Sequence, residues 1–261
     1  MSQLGSDELQ AYLKFAEDLM RRAGDIARKH FSHDVVVDVK DEDNTPVTVA
    51  DTAINQLVID EIAKAYPHIG VLAEEQSNLM ENADKLLWVC DPIDGTIPYT
   101  LHVPTFTGCL ALVQDGEAVV GVVYDYAGDR MFSAAKGCGV RLNGEPFTVP
   151  ARTPLKMIEL ESWPKGVRDV TMLRAKLFEH GYQLPNYCSY AFASMLVAQN
   201  RIEGGVYAGG KPWDGAASRP ILRELGIEMT DFTGKQPRFD GPVDGLIVAR
   251  PELLKLILGA V

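Results

Sequence analysis

Apolar side chains recur every three or four residues between Ser6 and Phe31. Leu9, Leu13, Ala16, Met20, Ala23 and Ala27 fall on one face and predict an amphipathic helix, with Ser6 and Asp7 as its caps. Asp34–Lys40 is dense in β-branched residues and predicts a strand. A polar loop, Asp41–Pro46, leads into a second helix from about Asp51. Its face is Ile54, Leu57, Val58, Ile62 and Ala65, and Pro67 ends it. Short apolar runs then predict strands at Gly70–Ala73, Leu86–Cys90, Phe106–Val113, Ala118–Tyr124 and Met131–Ala135. Asp115-Gly116 and Asn143-Gly144 supply hairpin turns. Beyond Pro150 the two periods mix. Strands are expected near Met157–Glu161, Gly204–Tyr207 and Gly245–Ala249. Helices are expected near Asp169–His180, Tyr190–Asn200, Trp213–Leu225 and Pro251–Leu258. The fold class is α+β, helices layered on largely antiparallel sheet. Residues 1–261 form one unit, with a split near Pro150–Leu155 into halves 1–150 and 151–261 as the alternative.

Composition narrows the function. At 261 residues and 46% hydrophobic, the chain has enough apolar side chains for a sizeable core, which excludes wholesale disorder. No apolar run approaches the ~18 residues of a membrane span, and the first residues predict no secretory signal. Cys90, Cys109, Cys138 and Cys188 lie far apart with no CxxC pair, so reduced thiols in a cytoplasmic protein are expected. With 25 basic against 36 acidic side chains, the net charge is −11. That balance argues against a nucleic-acid polymer as partner, which calls for a basic stripe. It leaves room for a phosphate-bearing small molecule if a divalent cation supplies the positive charge.

The informative stretch is WVCDPIDGT, Trp88–Thr96. A strand is expected to stop at Asp91, followed by a stiff loop in which Pro92 fixes φ and Gly95 allows a tight turn. Asp91 and Asp94 can converge on one point, an arrangement that like charges resist unless a cation sits between them. Further acids stand at element boundaries: Asp51 after Thr48-Val49-Ala50, Glu74-Glu75 after an apolar run, and Asp214 after Trp213. Singly, Asp51 and Asp214 read as helix N-caps and the Glu pair as solvated charge. Jointly they read as a site. Hard oxygen donors without interspersed His or Cys point to magnesium. No GxSxG elbow and no GxxxxGK[ST] loop is present, so metal-activated water is the expected attacker.

This set resembles the inositol monophosphatase family of magnesium-dependent, lithium-sensitive phosphatases. VTVAD (Val47–Asp51), AEEQ (Ala73–Gln76), WVCDPIDGT and WDGAASRPILRELG (Trp213–Gly226) are similar, in order and spacing, to the family's motifs. The resemblance implies a layered α-β-α-β-α sandwich, a homodimer and a site for two to three magnesium ions. Glu74, Asp91 and the Ile93 carbonyl would hold the first, and Asp91, Asp94 and Asp214 the second. A third would rest on Glu74 and water. Asp51 and Thr96 would deprotonate the attacking water, with Glu74 counted among the catalytic residues. Glu75 and Lys40 would act from behind. The phosphate and its ester group would lie against Asp94, Gly95, Thr96, Ser189, Tyr190, Tyr207 and Asp214. The implied substrate is an inositol, polyol or sugar phosphate.

Several positions depart from the family pattern. Ile97-Pro98-Tyr99 follows DGT where Asn-Phe is usual, Asn55 stands for a Glu, and Ala73 for a Gly. Cys188-Ser189-Tyr190 replaces a Gly-Ser/Thr-Ala stretch. Tyr207 stands where inositol phosphatases commonly carry a Glu for sugar hydroxyls. Tyr190 narrows the expected pocket, and Tyr207 removes a hydroxyl acceptor. Fructose bisphosphate, 3′-phosphoadenosine phosphates and histidinol phosphate are alternative substrates; Lys165, Arg168, Lys211 and Arg219 are the candidates for a second phosphate. A non-catalytic phosphate-binding protein is the alternative from another class, and it predicts a missing carboxylate. None is missing.

Overall fold

The computed structural model describes residues 4–31, 37–39, 46–80, 85–161 and 168–261. The chain runs through α1 (Ser6–Phe31), β1 (Val37–Val39), β2 (Pro46–Thr48), α2 (Val49–Ala65), β3 (Gly70–Ala73), β4 (Leu86–Asp94) and α3 (Thr96–Thr100). It continues through β5 (Thr107–Gln114), β6 (Glu117–Asp125), β7 (Arg130–Ala135), β8 (Val140–Leu142), β9 (Glu145–Phe147) and β10 (Leu155–Glu161). The remainder is α4 (Thr171–Glu179), α5 (Tyr190–Ala198), β11 (Ile202–Tyr207), α6 (Pro212–Ala216), α7 (Ser218–Glu224), β12 (Glu228–Thr230), β13 (Leu246–Ala249) and α8 (Pro251–Leu258).

A seven-stranded sheet runs in chain order from β3 to β9, and a four-stranded sheet has the order β10-β11-β13-β12. Only the β3–β4 and β10–β11 pairs of these two sheets are parallel. Three apolar clusters divide the molecule into layers. α1 and α2 cover one face of the large sheet, through Leu13, Met20, Ile54, Leu110 and Leu112. Its other face, with Cys109, Ala111 and Val113, packs against α5, α7 and the inner face of the small sheet. α4 and α8 close the outer face through Leu173, Leu177, Leu253 and Ile257. The order is α-β-α-β-α. β5 is covered on both faces, which is why its apolar run shows no polar alternation.

Three sequence expectations need correction. β4 does not stop before Asp91 but continues to Asp94. The helix expected over Trp213–Leu225 is two helices meeting at Ala217. Pro220 cannot donate to the carbonyl of Ala216, so one continuous helix would lose a bond there. β2, β8, β9, β12 and α3 were not expected as elements, each being only three to five residues long. Of the strand expected over Asp34–Lys40, Val37–Val39 is observed and the rest lies outside the described residues. Among the described residues no helix is long and apolar enough to cross a membrane.

Gly121 shows why α7 can lie so close to the large sheet. A Cβ at this position would stand 2.1 Å from the Ala217 carbonyl oxygen, so any side chain would push α7 off β6.

Candidate active site

The site forms where β3 and β4 end side by side. Their parallel register sets Ala73 against Cys90, which brings Glu74 level with Asp91. Opposite β5 the register slips: Asp91 faces Cys109 while Asp94 faces Thr107. Residues three apart on a regular strand point to opposite faces. The extra residue of this bulge turns Asp91 and Asp94 to the same side. Pro92 sits inside it, where no N–H is needed for the ladder.

α2 and α3 supply the second group. Thr48 is the N-cap of α2, and Asp51 is its third residue rather than the cap itself. One oxygen of Asp51 accepts from the Thr48 N–H at 2.8 Å and from the Thr48 hydroxyl. The other faces Thr96, whose hydroxyl lies 3.5 Å from it and 3.1 Å from the Ile93 carbonyl oxygen. The capping role and the site role are thus carried by different oxygens of one carboxyl. Gly95, with φ +94°, makes the turn into α3; a Cβ there would be 3.0 Å from both Ser189 Cβ and the Thr105 carbonyl. Burial pushes the Asp51 carboxyl up to about 7, opposed by its Thr48 bonds and reinforced by the charges of Glu75 and Glu74.

Asp94 and Asp214 complete the set. Asp94 accepts from the Ser189 hydroxyl at 2.6 Å, the Tyr190 N–H at 3.1 Å, the Ala191 N–H at 2.8 Å and the Thr107 hydroxyl at 3.1 Å. Asp214 is the third residue of α6 and accepts from the Lys211 N–H at 2.7 Å. Burial raises the carboxyl of Asp94, against the pull of these donors. It also raises Asp214, with the charges of Asp94 and Glu74 adding to it. Asp91 is raised by burial and then by Glu74, Asp94, Asp214 and Asp51. Its Oδ1 is buried without a hydrogen-bond partner.

This donor set fits a divalent cation. Mutually repelling carboxyls and an orphaned buried oxygen are what positive charge would resolve. As they lie, no three acidic, His or Cys side chains among the described residues are gathered into a coordination sphere.

A wall of two tyrosines stands beside the carboxyls. Tyr190 opens α5 and Tyr207 ends β11; their ring centroids are 4.1 Å apart and the planes tilt by 30°. The Tyr190 phenol donates to the Gly209 carbonyl at 2.9 Å, and the Tyr207 phenol to the Tyr190 carbonyl at 3.1 Å. Both are buried. A Cβ on Gly210 would lie 3.4 Å from Asp214 and 3.5 Å from the Tyr190 ring, so this wall borders the acid cluster directly.

The model of the inositol monophosphatase family matches residues 8–261. The chain belongs to the inositol monophosphatase family. A Nus factor SuhB of Escherichia coli is 30% identical over 253 residues, 94% of each chain. A fructose-1,6-bisphosphatase/inositol-1-monophosphatase of Thermotoga maritima is 31% identical, over 86% of each. Among solved structures, an IMPase/NADP phosphatase complexed with Mg2+ and phosphate superposes with a TM-score of 0.81 at 25% identity. That match covers 97% of this chain and 95% of the other. The layered α+β fold and the enzyme class, a phosphatase, are those of the family.

Within this inositol monophosphatase-family chain, Asp51, Glu74, Asp91, Ile93, Asp94, Gly95, Thr96 and Asp214 lie at the ends of β3 and β4 and the starts of α2, α3 and α6. Ser189 and Tyr190 join them through Asp94. Tyr207 stands one layer back, reaching Tyr190 rather than the carboxyls. Glu75 is half-buried, and its charge is felt at Asp51. Lys40 and Lys165 lie outside the described residues. Tyr99 is turned away, buried with its hydroxyl on the Ala27 carbonyl at 2.8 Å, and the exposed His102 stacks on Phe31. Arg168 is paired with Asp244 at 2.6 Å, and Arg219 donates to Gln236. Thr48, Thr107 and Ala191 support the site and were missed from sequence. Thr48 alone carried a signal, the Thr-x-x-Asp spacing of a capping box.

Proposed function

We propose that this protein is a magnesium-dependent hydrolase of a small phosphate monoester, of the inositol, polyol or sugar phosphate class. The observation that carries the reading is the Asp91 oxygen, buried and unpartnered among repelling carboxyls beside the Asp51–Thr96 pair. Glu74, Asp91 and the Ile93 carbonyl would hold one ion, and Asp91, Asp94 and Asp214 another. When bound, such ions acidify water and neutralise charge on the transferring phosphoryl group.

The chain's own residues do the remaining work. Thr96 accepts a hydrogen bond from the attacking water and passes its own proton towards Asp51. That carboxyl is held by Thr48 through one oxygen and presents the other to the Thr96 hydroxyl, the position a general base needs. The water oxygen forms a bond to phosphorus as the ester oxygen leaves and takes up a proton from solvent. Gly95 lets the backbone turn closely under the phosphate, and Ser189, Tyr190 and Ala191 hold Asp94 still. Tyr190, backed by Tyr207, walls the pocket for the ester group.

Arg168 and Arg219 have other partners, which leaves Lys211, beside Asp214, as the described candidate for a second phosphate. The Thermotoga maritima relative's name keeps fructose bisphosphate in the test. Phosphate release is measured with inositol 1-phosphate, fructose 1,6-bisphosphate, 3′-phosphoadenosine 5′-phosphate, histidinol phosphate and glycerol 2-phosphate, with and without Mg2+. Magnesium-dependent turnover of a polyol or sugar phosphate is expected. No release from any compound would favour a binding protein instead.

A further inference from the structure

One acid outside the cluster is wholly enclosed. Glu159 on β10 has 0% of its surface exposed. Its Oε1 accepts from the Tyr187 N–H at 2.9 Å, and its Oε2 is buried without a hydrogen-bond partner. Burial pushes the carboxyl up to about 8, against the Tyr187 bond and helped by the charge of Asp94. An apolar side chain of similar size would fill the same space without stranding an oxygen. The acid therefore calls for a reason other than packing.

The segment it holds supplies one. Tyr187 is gripped from two sides, because its carbonyl accepts from the Thr105 hydroxyl at 3.3 Å. The next residue, Cys188, has φ +54°, a conformation that non-glycine residues keep only under outside constraint. Ser189, Tyr190 and Ala191 follow at once and give Asp94 three of its four hydrogen bonds. A slip at Tyr187 would be transmitted through the turn to all three donors.

We propose that Glu159 is a positioning residue for Asp94: by holding the Tyr187 N–H it fixes the turn at Cys188 and aims Ser189, Tyr190 and Ala191 at the carboxyl. The inference rests on the reading of Asp94 as a magnesium ligand.

The test is Mg2+ affinity by isothermal titration calorimetry on the full chain, alongside thermal unfolding of the metal-free protein. Glu159→Met, which removes the acceptor and keeps the bulk, should weaken Mg2+ binding roughly ten- to a hundredfold, the usual effect of losing support behind a ligand. Its unfolding temperature should not drop. Glu159→Gln keeps an oxygen for the Tyr187 N–H and should restore the affinity. Thr105→Val should weaken binding less but in the same direction, and it decides the matter if Glu159→Met does not fold. Unchanged affinity in Glu159→Met or, failing that, in Thr105→Val overturns the inference, as does a Glu159→Gln no better than Glu159→Met. If the unaltered protein binds no Mg2+, the proposed function falls and this inference with it; normal binding with unaffected variants removes the inference alone.

Discussion

The acid cluster and the tyrosine wall border one another yet are built on opposite principles. In the cluster, burial raises Asp91, Asp94 and Asp214, neighbouring charges add to it at Asp91 and Asp214, and one Asp91 oxygen has no partner. In the wall, both phenols are spent on main-chain carbonyls and the rings stack. The first region is under electrostatic strain that a ligand would relieve. The second is complete without one. On the proposed function, chemistry and selectivity fall to separate parts of the pocket, and substitutions in the two regions should differ in kind.

The largest effect is expected at the junction of Asp51 and Thr96. Asp51→Asn keeps an oxygen for Thr48 but removes the proton acceptor, so kcat should fall by about 10²–10⁴-fold, with KM little changed. Steady-state kinetics at saturating Mg2+ decide this, and wild-type turnover would remove Asp51 from the reaction. Asp91→Asn comes next, with a loss of turnover of roughly 10²–10³-fold, comparable to removing one preorganised electrostatic contact. Its stability should move the other way. Replacing a buried acid that its neighbours repel should raise the unfolding temperature of the metal-free protein. A lowered temperature would mean that the cluster is not strained.

The same strain has a pH signature. Asp51 and Glu159 hold their protons in the folded protein up to about 7 and about 8, whereas an unfolded chain releases them near 4. Between those limits the folded state binds more protons, so metal-free stability should fall as pH rises from about 4 to about 8. The loss is at most on the order of a few kcal/mol per group. Urea unfolding at several pH values checks the slope, and added Mg2+ should flatten it. Stability rising through that window would contradict the raised carboxyls.

The contrast also explains what was legible in the sequence. The cluster is carried by short motifs at element ends, so Asp51, Glu74, Asp91, Asp94 and Asp214 could be picked out without coordinates. Their common orientation could not. It depends on the bulge between Asp91 and Asp94, and an apolar run ending in Asp-Pro reads as a strand that stops. The break at Ala217 was hidden similarly, since the helical period of Trp213–Leu225 continues through it. Glu159 was invisible because Ile158-Glu159-Leu160-Glu161 alternates like a half-exposed strand, which reads its acids as the solvent face. Its full burial and the Tyr187 N–H it holds are visible only in the fold.

The smallest expected effect separates the wall from the cluster most sharply. Tyr190→Phe keeps the ring against Tyr207 and deletes only the bond to the Gly209 carbonyl. Stability should drop by about 1 kcal/mol, the usual net worth of one such bond. Because that phenol is already occupied, KM for a polyol phosphate should hardly move. A KM raised about tenfold, equivalent to about 1.4 kcal/mol of binding, would mean that the hydroxyl swings to the substrate. The wall would then be part of the recognition chemistry rather than a finished surface, and the division between the two regions would fail at Tyr190.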